Sequence, residues 1–216
     1  TVIPTCVDTD RFDPEKVSQA KTGQLKSDLG IDEDDFVLGY VGSTGTWYLL
    51  EEMLQFFKVL SAARKAVFLF VTKDEPSIIL NKAKAQGIDT HQIRIRPAHY
   101  EDVPAMISVF DMGIFFIKPV FSKAASAPTK MGELLAMGKP VICNDGVGDV
   151  GEIIRQNKCG LAIERLNHEA YLAAVNEMQR IQVQSSSAYR MTSKQVFSLE
   201  KGAAEYHRVY SHLLRE

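Results

Sequence analysis

Phe36-Val37-Leu38-Gly39-Tyr40-Val41 is a continuous apolar run that breaks into Gly42-Ser43-Thr44-Gly45. Such a run, with no polar alternation, reads as a strand buried on both faces, and the glycines after it as a tight strand-to-helix turn. Leu49, Leu50, Met53, Phe56, Phe57 and Leu60 then recur at helical spacing. The alternation continues downstream. Short apolar runs at 67–71, 93–95, 112–117, 141–143 and 161–163 read as strands, and segments 77–85, 103–109, 130–137 and 151–156 read as the helices between them. Strands alternating with helices predict an α/β fold, a doubly wound, Rossmann-like parallel sheet with helices on both faces. Residues 167–216 read as extra C-terminal helices, with Tyr206, Tyr210, Leu213 and Leu214 on one stripe of the last. Residues 1–29, with Pro4, Pro14 and Gly23, read as irregular, and Asp32-Glu33-Asp34-Asp35 as a solvated loop.

The 216 residues, 45% hydrophobic and 24% charged with a net charge of -2, describe a globular protein rather than a disordered, collagen-like or membrane-spanning one. The near-zero charge argues against nucleic acid as the main partner, since phosphate-backbone binding needs a net or clustered positive field. No apolar run approaches the ~20 residues of a membrane span, and the N-terminus lacks a signal peptide's order of charge then apolar core. Cys6, Cys143 and Cys159 are too few and too scattered for a disulfide framework or a zinc site, which points to a reducing, cytoplasmic compartment.

Ligands of an open parallel sheet bind outside the carboxyl ends of the strands. The turn Gly42 to Gly45 lets backbone N–H groups approach an anion, yet it matches neither the dinucleotide fingerprint nor the P-loop, and a plain tight turn explains it equally well. The loop Ser122-Lys123-Ala124-Ala125-Ser126-Ala127-Pro128-Thr129-Lys130 opens the helix that carries Glu133. Pro128 suits a helix start, with Ser126 or Thr129 as cap. The free N–H groups there, with Lys130, are expected to seat a diphosphate, and Glu133 to reach ribose hydroxyls. The plain alternative is a capped surface helix with an exposed Glu and Lys. Lys118, Lys123, Lys130 and Lys139 are expected to gather around this loop, away from the acids at 32–35. Asn144-Asp145-Gly146-Val147-Gly148-Asp149 is a further glycine-rich turn, where Glu152 complements a helix dipole without any function.

Asp8-Thr9-Asp10 has the D-x-D form of a metal-diphosphate site but lies in the lead-in and reads as loop chemistry. His168-Glu169 lacks the second histidine of a zinc helix. His99 and Tyr100 suit either base stacking or a simple loop role. No Ser/His/Asp or Cys/His nucleophile set stands out.

In their order these segments resemble the C-terminal half of a group 1, retaining glycosyltransferase of the two-domain GT-B architecture. Val2-Ile3-Pro4-Thr5-Cys6-Val7-Asp8 resembles the segment where that family's chain enters its nucleotide-sugar domain, and Phe110-Asp111 a later family stretch. Pro128-Thr129-Lys130-Met131-Gly132-Glu133-Leu134-Leu135-Ala136-Met137-Gly138-Lys139-Pro140-Val141-Ile142 resembles its most specific signature. The resemblance implies a linker over 1–30, a nucleotide-sugar-binding domain over 31–166 and C-terminal helices packing on it over 167–216. It also implies that Glu133, the second glutamate of an E-x7-E motif, holds the donor ribose, and that Thr129 and Lys130 meet the diphosphate. Pro97, His99 and Tyr100 would lie beside the base, and Gly42, Ser43, Thr44 and Gly45 would face the phosphates.

The donor is implied to be a UDP-, GDP- or ADP-sugar, with no metal or other cofactor, and the acceptor to bind in a preceding N-terminal domain. That missing half would also carry any attachment to the inner face of the membrane, and without it the fragment would not transfer sugar. Two departures stand out. Ala125 occupies the place of the first motif glutamate, which holds the donor sugar, and no Arg and Lys clamp follows Gly42; Lys118, Lys123 or Lys130 are the candidate substitutes. Ala125 favours an alternative, a non-catalytic nucleotide-binding or interaction module of the same fold. A dehydrogenase-type NAD site is disfavoured by the absent fingerprint and the polar Thr72-Lys73.

Overall fold

The computed structural model of the chain describes residues 3, 5–123, 126–181 and 185–214. Six strands form one sheet: β1 Phe36–Val41, β2 Ala66–Val71, β3 Ile93–Arg96, β4 Met112–Phe115, β5 Val141–Asn144 and β6 Gly160–Ile163. Their order is β3-β2-β1-β4-β5-β6 and every pairing is parallel. This is the doubly wound arrangement that the alternating runs predict, with its change of direction between β1 and β4. β1 and β2 pair in full register from Phe36 with Ala66 to Val41 with Val71. Both are apolar throughout because helices cover both faces.

The helices are α1 Gln19–Asp28, α2 Leu50–Ala63, α3 Pro76–Ala85, α4 Val103–Ser108, α5 Thr129–Ala136, α6 Val150–Asn157, α7 His168–Ile181, α8 Ser186–Val196 and α9 Leu199–Leu213. Met53, Leu54, Phe56, Phe57 and Leu60 of α2 are buried, and α7 packs beside it, where Tyr171 meets Phe56 and Phe116 edge-on and face-on. α8 packs on α5, and Ser193 Oγ donates to the Gly132 carbonyl at 2.9 Å. On α9 the expected stripe is exposed, with the rings of Tyr206 and Tyr210 stacked 6.5 Å apart. Among the described residues no helix is long and apolar enough to cross a membrane.

The structure corrects three readings. The lead-in is not irregular up to Leu29, because α1 forms there. Ser18 caps it by accepting from the Lys21 N–H at 3.2 Å, and Thr22 Oγ1 lies 2.8 Å from Ser108 Oγ on α4. No residue of α1 is fully buried, so it carries no apolar stripe to announce it. The acidic run is only partly solvated. Asp35 is buried, its Oδ2 accepts from the Asp32 N–H, and Lys65 Nζ reaches Asp32, Asp34 and Asp35 at 2.8, 2.7 and 3.4 Å. Finally, β4 stops at Phe115 rather than Ile117, because the Ile117 N–H and carbonyl are met by the Asn144 side chain instead of a strand backbone, while Ile117 bridges antiparallel to Tyr48.

Candidate functional site

β1 ends against Gly42, whose φ of +109° an L side chain rarely adopts. A Cβ there would also stand 3.4 Å from Lys130 Nζ, so glycine lets the backbone pass close over that amine. The turn is folded back on itself rather than left open. Asp74, just past β2, accepts through Oδ2 from the Thr44 N–H at 2.5 Å, from Thr44 Oγ1 at 2.7 Å and from Ser43 Oγ at 3.2 Å. The Gly42 N–H donates to the Val71 carbonyl and the Gly45 N–H to Ser43 Oγ. Three of the N–H groups expected to face an anion are therefore engaged within the protein, which corrects that reading.

Burial works to raise the Asp74 carboxyl, but the bonds from Thr44, Ser43 and Thr72 outweigh it and hold the group below its ordinary value. A depressed carboxyl stabilises the fold above its unfolded pKa of about 4 and loses that contribution as pH falls through the folded value. Asp74→Ala is therefore expected to cost about 2 kcal/mol at neutral pH. The gap to the parent should close in melting scans run below about pH 4; a gap independent of pH would contradict the latch.

Lys130 is the second residue of α5. Pro128 stands at the N-cap with no side-chain cap bond, so neither Ser126 nor Thr129 caps the helix as expected. Lys130 is buried, only 9% exposed, not the surface lysine of the plain reading. Its Nζ donates to Tyr40 Oη at 3.1 Å and lies 3.6 Å from the ring centroid of Tyr48 and 4.2 Å from that of Tyr40. The phenol of Tyr40 in turn donates to the Ser43 carbonyl at 2.5 Å. Burial pushes the Lys130 ammonium down to about 7, with Glu133 pulling the other way. Glu133, one turn along α5, is half-buried; desolvation raises its carboxyl and Lys130 lowers it in part.

Lys130 and Glu133 lie in one cleft of about 480 Å³ together with Gly42, Ser43, Thr129, Tyr48 and Tyr100. It opens at the carboxyl ends of β1, β2 and β3, with Thr72, Lys73 and Asp74 on one side. Of the loop beyond β3, Ala98 and Tyr100 line it, whereas Pro97 and His99 are exposed outside the lining. The Tyr100 ring is braced by the Arg11 guanidinium 4.8 Å from its centroid and by the edge of Phe12 at 5.8 Å. The lead-in thus supplies a wall of the cleft that its sequence does not announce. Nearby Asp8 accepts from the N–H groups of Asp10 and Arg11 through Oδ1, which is the loop chemistry its sequence suggests.

The remaining lysines disperse. Lys118, with Thr44 and Gly45, lines a separate hollow of about 350 Å³ at the start of α2. Lys123 Nζ lies over the Trp47 ring, 4.6 Å from its centroid. Lys139 stands at the amino end of the sheet, where its Nζ donates to the Ser108 carbonyl at 3.0 Å. The expected lysine cluster reduces to Lys130, because a short strand separates Lys139 from the carboxyl edge. Ala125 lies outside the described residues. In the turn after β5, Asp145 pairs with Arg155 at 2.7 Å and Glu152 accepts from Gln156 on its own helix, so both have structural partners.

Comparison with known proteins bears on the family and the fold. The family model described as glycosyl transferases group 1 matches residues 22–195. No curated protein sequence is significantly similar. Among solved structures, a glycosyltransferase from Rickettsia africae superposes with a TM-score of 0.80 at 19% identity, covering 100% of this chain and 57% of that one. WaaG, a glycosyltransferase involved in lipopolysaccharide biosynthesis, gives 0.71 at 18%, over 95% of this chain and 55% of its own. Anabaena Alr3699/HepE in complex with UDP-glucose gives 0.76 at 14%, over 98% and 57%. The chain therefore spans little more than half the length of these structures, and at such identities the likeness establishes the fold.

Proposed function

The chain belongs to the group 1 glycosyl transferases, and from that premise we propose that it is the donor-binding half of an enzyme that moves a sugar from a nucleoside diphosphate to an acceptor with retention. The observation that carries this reading is a buried lysine and a half-buried glutamate one helical turn apart, both on the wall of one cleft at the carboxyl edge of the sheet. Lys130 and the first turn of α5 take the diphosphate, Glu133 accepts from the ribose hydroxyls, and Tyr100 with Ala98 borders the base. The UDP and UDP-glucose bound in Anabaena HepE support a nucleotide-sugar ligand.

In the transfer, the bond from the sugar's anomeric carbon to the diphosphate oxygen breaks, a bond to the acceptor's hydroxyl oxygen forms on the same face, and the proton of that hydroxyl passes to the departing diphosphate. Lys130 and the α5 N–H groups then hold the charge that develops on the departing diphosphate. No metal is assigned a part. The acceptor is assigned to a preceding domain of similar size, which would also carry any contact with the cytoplasmic membrane face; residues 1–30 serve as linker, 31–166 bind the nucleotide and 167–216 close the half. The second reading, a binding module that does not transfer sugar, rests on Ala125 in place of the sugar-holding glutamate.

Thermal denaturation tests the nucleotide site. At a hundredfold excess over Kd a nucleoside diphosphate should add about 2.7 kcal/mol, a rise in Tm of roughly 5–10 °C for a chain of this size. Glu133→Ala should remove most of that rise while leaving the ligand-free Tm within about 2 °C. Unchanged melting with millimolar UDP, GDP and ADP alike would overturn the site. Release of sugar from a bound donor by the complete protein separates the enzyme from the binding module.

A further inference from the structure

Lys130 is held in an unusual way for a buried cation. Among the described residues no carboxylate stands within ion-pair distance of its Nζ, and Tyr40 Oη is its hydrogen-bond partner. The proton of that phenol is already committed to the Ser43 carbonyl, so the oxygen faces the amine as an acceptor. The ring of Tyr48, from the segment before α2, lies 3.6 Å away and offers its negative face to the ammonium. The titratable groups around the amine are Tyr40 from β1, Tyr48, and Glu133 from α5, with Asp74 beyond β2 acting on Tyr40. Lys73 and Tyr100 stand elsewhere on the cleft wall. An ammonium carries three N–H groups, and only one of them has a hydrogen-bond acceptor here, so the others can turn from the rings to a ligand's oxygens in the cleft that Lys130 lines.

We infer that Tyr40 and Tyr48 are positioning residues that keep Lys130 as an uncompensated amine, so that a diphosphate donor binds together with one proton. This rests on the nucleotide-site reading above and adds a charge rule to it. The diphosphate of a nucleotide sugar is esterified at both ends and keeps its two negative charges across the neutral range, so the titrating partner is the lysine. Without ligand, burial leaves the amine half protonated near pH 7 and neutral above it. Beside a diphosphate the ammonium is favoured, and each neutral molecule that binds takes a proton from solvent. Affinity therefore falls as pH rises, by about thirtyfold between pH 6 and 8.5 for a group titrating near 7 in the empty site.

Titration calorimetry with UDP-, GDP- and ADP-glucose, at pH 8 in phosphate and in Tris, counts the protons. Uptake of about 0.9 proton per bound donor is expected, together with the fall in affinity above pH 7. Lys130→Arg, which stays charged, should bind with no uptake and a flat pH profile. Tyr48→Leu should weaken binding and move the midpoint of the profile to lower pH, because the ammonium loses its aromatic face; Tyr48→Phe should restore both. A purely structural role for Tyr48 would weaken binding equally at every pH, which would overturn its assignment. Binding that is independent of pH with no proton uptake would overturn the coupling while leaving the nucleotide site standing. Failure of all three sugar nucleotides to bind at millimolar concentration would overturn the nucleotide site as well.

Discussion

Gly39→Ala is expected to destabilise the protein by about 3 kcal/mol, lowering Tm by roughly 6–12 °C for a chain of this size. Gly39 sits in the middle of β1, and a Cβ built on it falls 2.1, 2.2 and 2.3 Å from Cδ2, Cγ and Cε2 of Phe110. The ring cannot step aside, because Phe110 is fully buried and its neighbour is tied down from two sides. The Asp111 N–H donates to the Val37 carbonyl at 2.9 Å, and Asp111 Oδ2 accepts from the Val37 N–H at 2.7 Å. The clash therefore pushes β1 away from the α4–β4 connection, and β1 is the strand that positions Tyr40 and Gly42. Pairing the change with Phe110→Ala tests the cause. If steric conflict dominates, the double variant should be well short of additive, because the space vacated by the ring accepts the new methyl. A loss below 1 kcal/mol for Gly39→Ala, or simple additivity in the double variant, would sink the explanation.

That glycine also marks where the sequence speaks clearly and where it stops. The apolar runs of β1 and β2 announce themselves because a strand covered on both faces has no polar alternation, and the turn after β1 is read from glycine. α1 is silent because it buries none of its residues fully, so no period is imposed on its sequence. The site is half legible. Glu133 and Lys130 stand out by their spacing at a helix start, and the structure places both on the cleft. What the spacing misses is the inward turn of Lys130, which depends on Tyr40 and Tyr48, some ninety residues away in the chain. The Asp74 latch is invisible for the same reason, since it joins the ends of two neighbouring strands thirty residues apart. Lysines at 118, 123 and 139 look alike in sequence, and only the length and direction of β4 and β5 send them to different edges.

Asn144→Ala is expected to cost about 3–4 kcal/mol, lowering Tm by roughly 10 °C. Asn144 is buried at the end of β5, where its Oδ1 accepts from the Ile117 N–H at 2.7 Å and its Nδ2 donates to the Ile117 carbonyl at 2.8 Å. It does for Ile117 what a neighbouring strand would do, at the point where β4 has already ended. Truncation leaves a buried N–H and a buried C=O without partners, each costing roughly 1–3 kcal/mol. The damage should reach the ligand, because Ile117 bridges Tyr48 and the Lys118 N–H donates to the Trp47 carbonyl at 3.0 Å. Tyr48 is one of the two rings over Lys130, so nucleotide affinity should fall along with stability. Asn144→Asp separates the two hydrogen bonds. A carboxylate can still accept from the Ile117 N–H but faces the Ile117 carbonyl without a proton to offer, so the folded state favours its neutral form and its pKa rises. A raised carboxyl is most stabilising when protonated, below the unfolded value of about 4, and loses that contribution as pH climbs through the folded value. The Asp variant should therefore recover toward the parent as pH falls from 7 to 4, while the Ala variant should show no such recovery. Melting curves of both across that range decide the matter: parallel losses at every pH would mean that the second hydrogen bond, from Nδ2 to the Ile117 carbonyl, carries no weight.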